Sequence, residues 1–452
     1  MGLGARVLLT DAEERAALAV SRGLRDRGYR VGGVAGLRPA AVHWSLSCDS
    51  RHTAPHPAAD PAGFLSALVG LVGAGEYDIL IPSSDVAVWV ISRNRERLEA
   101  HVEVALPRRD VVDSALDKVQ LGEVAAGVGL ASPPGIVCVG VDQALGAASE
   151  IGFPVVLKAP RSFIAAENEL RPRAVELVVD ESSLVDAVRT TQASLLVQRF
   201  VTRPSVISCA GVMGLDSLLA VAVTRWVRRW PPETGAAAFC ETITPPPGLV
   251  ERVEELLGRL GYWGIFELEL LDDGSGRLAA IDLNPRPFGW LAVAVDAGAN
   301  LPAIFCDWLR GTPPPGMVVA APGRRYRWED GDLRHVVWQL RRGRLAEAAA
   351  TMRPHRRVTH PFFRLADPAP LAARAVLLAG RLLGPQLVGA PAPLRAETSV
   401  REARPGLQER GRGPAENAPG HGGARIPGAG DEAHHGAEGE GSRRADEVEA
   451  WN

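Results

Sequence analysis

Two groups of residues in this chain have types and spacings that could do chemistry. Of its 50 lysines and arginines only two are lysine, Lys118 and Lys158. A structural need for positive charge is met by a guanidinium. A compact ammonium that donates to a phosphate is not replaced by that larger planar fork. The second group is acidic. Glu267 and Glu269 lie two apart in IFELELL, and Asp282 and Asn284 lie two apart in RLAAIDLN. A spacing of two places each pair on one face of a strand. The turn DDGSG between the two runs predicts a hairpin, which sets carboxylates and amide side by side. Oxygen donors on adjacent strands, with no soft ligand nearby, suit Mg²⁺ held together with substrate phosphates. Arg286, between two prolines, supplies a fixed cation next to that face. A solvent-facing polar row would explain any one of these residues, but less well their shared parity inside an apolar segment.

The elements that must position these groups alternate. Strands at 5–9, 29–35 and 77–82 alternate with helices at 11–27 and 61–73, which predicts a parallel α/β layer. Ser83-Ser84-Asp85 follows the third strand. It could touch substrate at the carboxyl edge of the sheet, though a strand-end cap is the favoured reading. Lys118 opens a helix running to Ala126, and Lys158 sits on a strand, VVLKA, after Gly-Phe-Pro. Strands at 175–179, 194–201, 206–212 and 217–223 lead through a helix at 247–260 to the acidic hairpin. After Pro313-Pro314-Pro315, two helices run to about Leu387, and 389–452 is too poor in large apolar residues to offset the entropy of ordering.

Composition excludes several classes. A net charge of −3 supplies no global basic field for nucleic acid. Five scattered cysteines without a CxxC exclude a zinc ribbon or small disulfide scaffold and fit a cytoplasmic protein. No stretch reads as a signal peptide or membrane span, since the most apolar one, 371–387, is broken by Arg374 and Arg381. Gly32-Gly33 lacks the GxGxxG of a dinucleotide site, and the histidines form no HExxH. The patch TRWVRRW, with Arg225, Arg228 and Arg229, is read equally well as recognition of a carboxylate or phosphate and as a solvated strand edge.

Two lysines on separate α/β segments, the strand LVQRF and an acidic hairpin ending in Asp-Leu-Asn-Pro-Arg together resemble the ATP-grasp superfamily of carboxylate–amine and carboxylate–thiol ligases. The resemblance covers about residues 5–312. Its most specific part, YWGIFELELLDDGSGRLAAIDLNPRPFGW (262–290), is similar to the family's G-x-x-x-x-E…E-I-N-P-R block. A second part, TRWVRRWPPETGAAAFCET (224–242), resembles a bacterial subgroup of ATP-grasp carboligases whose tail carries a segment like RYRWED (325–330).

The resemblance implies a fold and a set of roles. The fold is α/β and α+β. It comprises an N-terminal Rossmann-like pre-ATP-grasp domain (1–110), a first lobe (111–196), a second lobe with the metal-binding hairpin (197–315), a helical C-terminal extension (316–388) and a tail (389–452). Lys118 and Lys158 would reach the ATP phosphates, and Gln198, Arg199, Phe200 and Val201 would form the hinge beside adenine and ribose. Glu269, Asp282 and Asn284 would hold Mg²⁺ (or Mn²⁺), and Arg286 would steady the γ-phosphate and an acyl phosphate. Glu241 would add a carboxylate near ATP. The implied activity joins a small-molecule carboxylate to an amine with release of ADP and phosphate. The alternatives are an impaired ATP-binding protein and a bicarbonate-dependent carboxylase. A homodimer is the default assembly. The chain departs from the family's pattern at Asp282, where Glu is usual, and at Arg199, where the hinge often has Glu. It also has no glycine between Phe153 and Ala210, so Arg161-Ser162-Phe163 is the candidate phosphate cover.

Overall fold

The computed structural model describes residues 4–161, 163–165, 170–172, 175–189, 193–202, 205–272, 274 and 276–383. The chain divides into two compact units, Met1–Val400 and Arg401–Asn452, and every described residue lies in the first. The tail 389–452, Ser162, and Asp273 and Ser275 of the hairpin turn lie outside the described residues.

Five parallel strands make the N-terminal layer: β1 (Arg6–Leu9), β2 (Arg30–Ala35), β3 (Ser50–Thr53), β4 (Ile79–Ile81) and β5 (Glu103–Val104), in the order β3-β2-β1-β4-β5. The winding reverses between β1 and β4, which leaves a crevice beyond their carboxyl ends. The expected strands β1, β2 and β4 are present. β3, SRHT, is polar and alternates between half-buried and exposed, so only its pairing with β2 defines it. The first helix starts at Arg15 rather than residue 11, because Asp11 turns the chain with φ 55°.

The first lobe comprises β6 (Gly135–Cys138), β7 (Val155–Lys158), β8 (Phe163–Ala165), β9 (Leu170–Pro172), β10 (Glu176–Val178) and β11 (Leu195–Arg199). Four of these form an antiparallel sheet in the order β10-β7-β11-β6, so that lobe's sheet runs to Arg199. The β8–β9 hairpin docks on the N-terminal layer instead. Leu170 N donates to Ala58 O at 3.0 Å, and Phe163 meets Trp89 edge-on at 5.8 Å.

The large second sheet is built from β12 (Ser205–Met213), β13 (Leu218–Trp230), β14 (Ala236–Ile243), β15 (Gly264–Asp272), β16 (Leu278–Asn284), β17 (Val318–Val319), β18 (Arg325–Arg327) and β19 (Val358–Thr359). Its order is β16-β15-β12-β13-β14-β18-β19, with β17 paired to β13. The helix Leu249–Arg259 covers one face through Leu249, Val253, Leu256 and Leu257, all fully buried. That spacing is the apolar stripe of an amphipathic helix, and each such side chain contributes roughly 1.5–3 kcal/mol.

The C-terminal segment differs from the expected pair of helices. Three helices, Glu329–Arg341, Leu345–Thr351 and Ala369–Leu383, follow or flank β17–β19, and these strands belong to the second lobe's own sheet. Strands of two or three residues leave no periodic signal. Among the described residues no helix is long and apolar enough to cross a membrane.

Two glycines predict opposite outcomes. A Cβ on Gly211, in the centre of β12, would lie 2.1 Å from Ala220 O and 3.2 Å from the Phe266 ring. Gly70 is exposed within the helix Pro61–Gly73, and its Cβ would meet nothing within 4 Å. Gly211→Ala should destabilise by about 3 kcal/mol, whereas Gly70→Ala should stabilise by roughly 0.5–1 kcal/mol. Urea unfolding of both variants measures the two signs.

Candidate active site

The acidic hairpin has the register its spacing predicts. Glu267 stands opposite Asn284 and Glu269 opposite Asp282, on β15 and β16. Next to these pairs the register shifts, which sets Ile281 out of the simple ladder. Its carbonyl accepts from Lys158 Nζ at 3.2 Å. Lys118 Nζ donates to Asp282 Oδ1 at 2.6 Å, with the lysine side chain 6% and the aspartate 25% exposed. The two lysines are brought together by local structure. Asp117 caps the helix Lys118–Gly127 by accepting from Val119 N and Gln120 N, and Lys118 N donates to Pro160 O at 2.9 Å, just beyond β7.

Lys118, Lys158, Glu269 and Asp282 line one cavity of about 200 Å³. Gln198, Arg199, Phe200 and Val201 line it too, so eight of the ten expected site residues share it. The Gln198 side chain is committed to structure, since Nε2 donates to Pro133 O at 2.9 Å. The β11 ladder ends at Arg199, and Phe200 and Val201 carry the cavity wall onward.

Asn284 and Arg286 do not line this cavity. Asn284 Nδ2 donates to Glu267 Oε2 at 3.1 Å and to Glu269 Oε1 at 3.4 Å, while its Oδ1 accepts from Arg286 Nη2 at 3.1 Å. The amide thus links the carboxyl pair to the guanidinium. Arg286 also forks Asp85, with Nε to Oδ1 at 2.6 Å and Nη2 to Oδ2 at 3.0 Å. The triplet Ser83-Ser84-Asp85 therefore divides. Ser84 is the expected cap, accepting from Ala87 N at 3.1 Å, and Asp85 ties the N-terminal layer to the hairpin.

The electrostatics follow from crowding charge away from water. Burial, with the Lys118 charge beside it, pulls the Lys158 ammonium down to about 8 against the pull of Asp282 and Glu269. Burial and then Glu267 and Asp282 push the Glu269 carboxyl well above the usual carboxylate range. Burial also raises Glu267, although Ser208 Oγ at 2.9 Å and Trp290 Nε1 at 2.5 Å donate to it. Burial works against the Arg286 charge, but Asp85 overcomes it and raises the guanidinium.

Among the described residues, no three His, Cys, Asp or Glu side chains form a preorganised metal cage. Glu269 and Asp282 face each other with Lys118 against them, a set that lacks enough ligands by itself. Such a pair fits a hard divalent cation that takes its remaining oxygens from phosphate and water.

Sequence reading missed part of the site. The arginines of TRWVRRW separate along β13, whose register shifts on both sides of Arg228. Arg225 is exposed, Arg228 forks Asp332 at 2.8 and 2.7 Å, and Arg229 lines the cavity within electrostatic reach of Glu269 and Glu233. The β13–β14 loop adds Glu233, Thr234 and Gly235 to the same wall. Glu241, expected near ATP, lies instead on β14 beside Arg325, at 3.4 Å. Phe163 of the expected phosphate cover is packed against the N-terminal layer by Trp89.

Comparison with known proteins follows the same outline. No family model matches the chain. A stretch of 227 residues, 47% of this chain, is 26% identical to the carbamoyl phosphate synthase large chain of Gemmatimonas aurantiaca and spans 20% of that protein. The biotin carboxylase of Campylobacter jejuni, in a β,γ-ATP complex, superposes with a TM-score of 0.54 at 17% identity, covering 69% of this chain and 72% of that one. An N5-carboxyaminoimidazole ribonucleotide synthetase in its ADP complex gives a TM-score of 0.55 at 13% identity, covering 72% and 81%. The similarity extends over about 70% of this chain, and the chain has the ATP-grasp fold.

Proposed function

We propose that the protein is an ATP-dependent ligase that activates a small-molecule carboxylate as an acyl phosphate and joins it to an amine. The observation that carries this reading is the convergence of Lys118, Lys158, Glu269 and Asp282, from four separate segments, on one cavity bounded by residues 198–201. Two ammonium groups and Arg229 supply positive charge for a triphosphate. The wall at Phe200 and Val201 offers an apolar surface to a base. Glu269, Asp282 and the neighbouring amide of Asn284 would hold Mg²⁺, which when bound would offset phosphate charge.

The chain's own residues then position and stabilise, with little covalent work. Lys158 and Lys118 hold the phosphates in line while a substrate carboxylate oxygen bonds to the γ-phosphorus and the bond to the β-phosphate oxygen breaks, releasing ADP. The acyl phosphate forms beside Arg286, whose guanidinium Asp85 keeps charged and oriented. An amine nitrogen bonds to the acyl carbon, the carbon–oxygen bond to phosphate breaks, and one amine proton leaves with the phosphate. The burial of Lys158, 6% exposed, indicates a site that restricts water, which protects an acyl phosphate from hydrolysis.

A second reading takes bicarbonate as the carboxylate. It is supported by the similarity in fold to biotin carboxylase. A requirement for bicarbonate in place of an organic acid separates the two. A third, ATP binding without turnover, draws on Asp282, which is already paired with Lys118; bound ATP with no ADP release under any acid–amine pair would favour it.

Turnover with Mg²⁺ and ATP should release ADP only when an acid and an amine are both supplied. Lys158→Met and Asp282→Asn should each lower kcat by about 10²-fold or more. Coupled ADP detection checks this, and undiminished turnover in both variants rejects the site. The sign of the pH dependence follows from Lys158. In the nucleotide-free protein its ammonium is lost near pH 8, while bound phosphate favours the ammonium. Nucleotide affinity should therefore fall as pH rises above about 8, and Lys158→Met should flatten the profile. Calorimetric titration with ATP between pH 7 and 9.5 measures it.

A further inference from the structure

The helix Glu329–Arg341 is turned inside out. Its buried side chains are polar (Asp330, Asp332, His335 and Gln339), while Leu333 is 60% and Leu340 47% exposed, with Val337 exposed between them. Steps of four and three place these three aliphatic residues on one stripe, the stripe that in most helices faces a core. Ion pairs hold the polar side inward. Asp332 takes the fork of Arg228 on β13, and Asp330 Oδ2 accepts from Arg374 Nε at 2.7 Å. The helix Leu345–Thr351 packs beside this one and exposes Leu345, with Met352 exposed just after it. Single exposed apolar side chains are ordinary, but a group of them on two adjoining helices marks an interaction surface.

The same surface is basic. Positions 333–357 hold seven arginines and one acid, Glu347, in a chain whose net charge is −3. The other acids of the elements packed here are engaged elsewhere. Glu329 meets His360, Asp330 meets Arg374, Asp332 meets Arg228 and Arg327, and Glu241 meets Arg325. Glu233 lines the cavity of the two lysines. Among the described residues no carboxylate meets Arg334, Arg341, Arg353, Arg356 or Arg357, and all five are exposed. Arg334 and Arg341, two turns apart, border the aliphatic stripe on one side. Arg342 lies 4.1 Å over the half-buried ring of Trp338, so an amphipathic aromatic sits among the guanidinium groups.

We propose that this face docks the protein on an anionic lipid surface, with Leu333, Val337, Leu340 and Leu345 entering the acyl boundary and the arginines level with the headgroup phosphates. Charge complementarity selects this occupant. A second copy of the chain would bring arginines against arginines. A nucleic acid would pair with the arginines but leave the aliphatic side chains without a partner, because its backbone presents phosphate and sugar. An acidic protein would need an apolar groove cut to separate side chains on two helices. A fluid bilayer needs no such fit and supplies phosphates outside and hydrocarbon beneath. Attachment of this kind is peripheral and reversible, and it requires no spanning helix. Docking is independent of the ligase reading, since no residue of this face lines the cavity of the two lysines.

Co-sedimentation of the full chain with vesicles tests this, using equimolar phosphatidylglycerol and phosphatidylcholine against phosphatidylcholine alone. The protein should pellet with the anionic vesicles and stay in solution with the neutral ones. Its binding should weaken by about tenfold or more as salt rises from about 0.05 to 0.5 M. The double variant Arg334→Gln/Arg341→Gln should lose about 25-fold in affinity, at about fivefold per arginine. Leu333→Gln/Leu340→Gln should lose about tenfold or more. These positions are exposed, so both variants should fold, which circular dichroism checks; should either unfold, Arg334→Gln or Leu333→Gln alone replaces it. Lys158→Met should pellet like the unaltered chain, so docking stands or falls apart from catalysis. Absence of pelleting, equal pelleting with both vesicles, or undiminished binding in the leucine variant would overturn the proposal. So would self-association that the leucine variant abolishes, which would assign the face to a second copy, or tighter binding to polyglutamate than to the vesicles, which would assign it to an acidic protein.

Discussion

Charge brought together away from water governs this molecule. The acidic hairpin sets Asp282 opposite Glu269 and beside Glu267, and burial pushes both glutamate carboxyls toward the neutral form. The arrangement persists because donors are built around it. Ser208 and Trp290 serve Glu267, Asn284 bridges to Glu269, and Lys118 meets Asp282. Removing one partner of a buried pair typically costs about 3–5 kcal/mol, since the other charge is left alone. Burial and the Lys118 charge hold the Lys158 ammonium near its own deprotonation, and Asp282 and Glu269 work in the opposite direction.

The pair between Asp85 and Arg286 extends this constraint across the fold. It connects the first turn after β4 to the segment after β16, more than two hundred positions later in the chain. The helix Arg15–Arg25 reinforces that join, buried along nearly its whole length between the N-terminal sheet and the helices Leu291–Asp296 and Leu301–Leu309. Arg286 thereby joins the acidic hairpin, through Asn284, to the crevice at the end of the N-terminal sheet, whose wall it lines.

Much of this was legible from residue types. The parity of Glu267, Glu269, Asp282 and Asn284 determined their register, because strand alternation is local and exact. The scarcity of lysine singled out the two ammonium groups that the structure places in one cavity. What stayed hidden depends on long-range pairing. β17, β18 and β19 are two or three residues each and exist only through their neighbours. The arginines of β13 looked like one patch, but irregular register sends Arg228 to Asp332 and Arg229 into the cavity. Glu241 was misplaced for the same reason, since its partner Arg325 comes from a strand no pattern announced. Asp85 looked like part of a cap, and nothing local revealed Arg286 as its partner.

The pairing of β18 with β14 also bears on how this protein can be recombined with its relatives. The helical end of the chain looks like an appendage that a chimera could exchange at residue 315. Such a splice would strip β14 of its neighbour along Phe239–Glu241 and expose a row of unpaired backbone donors and acceptors. Naked edges of this kind invite strand addition between molecules. Viable breakpoints lie outside the stretch from β14 to β19, and a donor segment must bring its own closing strand.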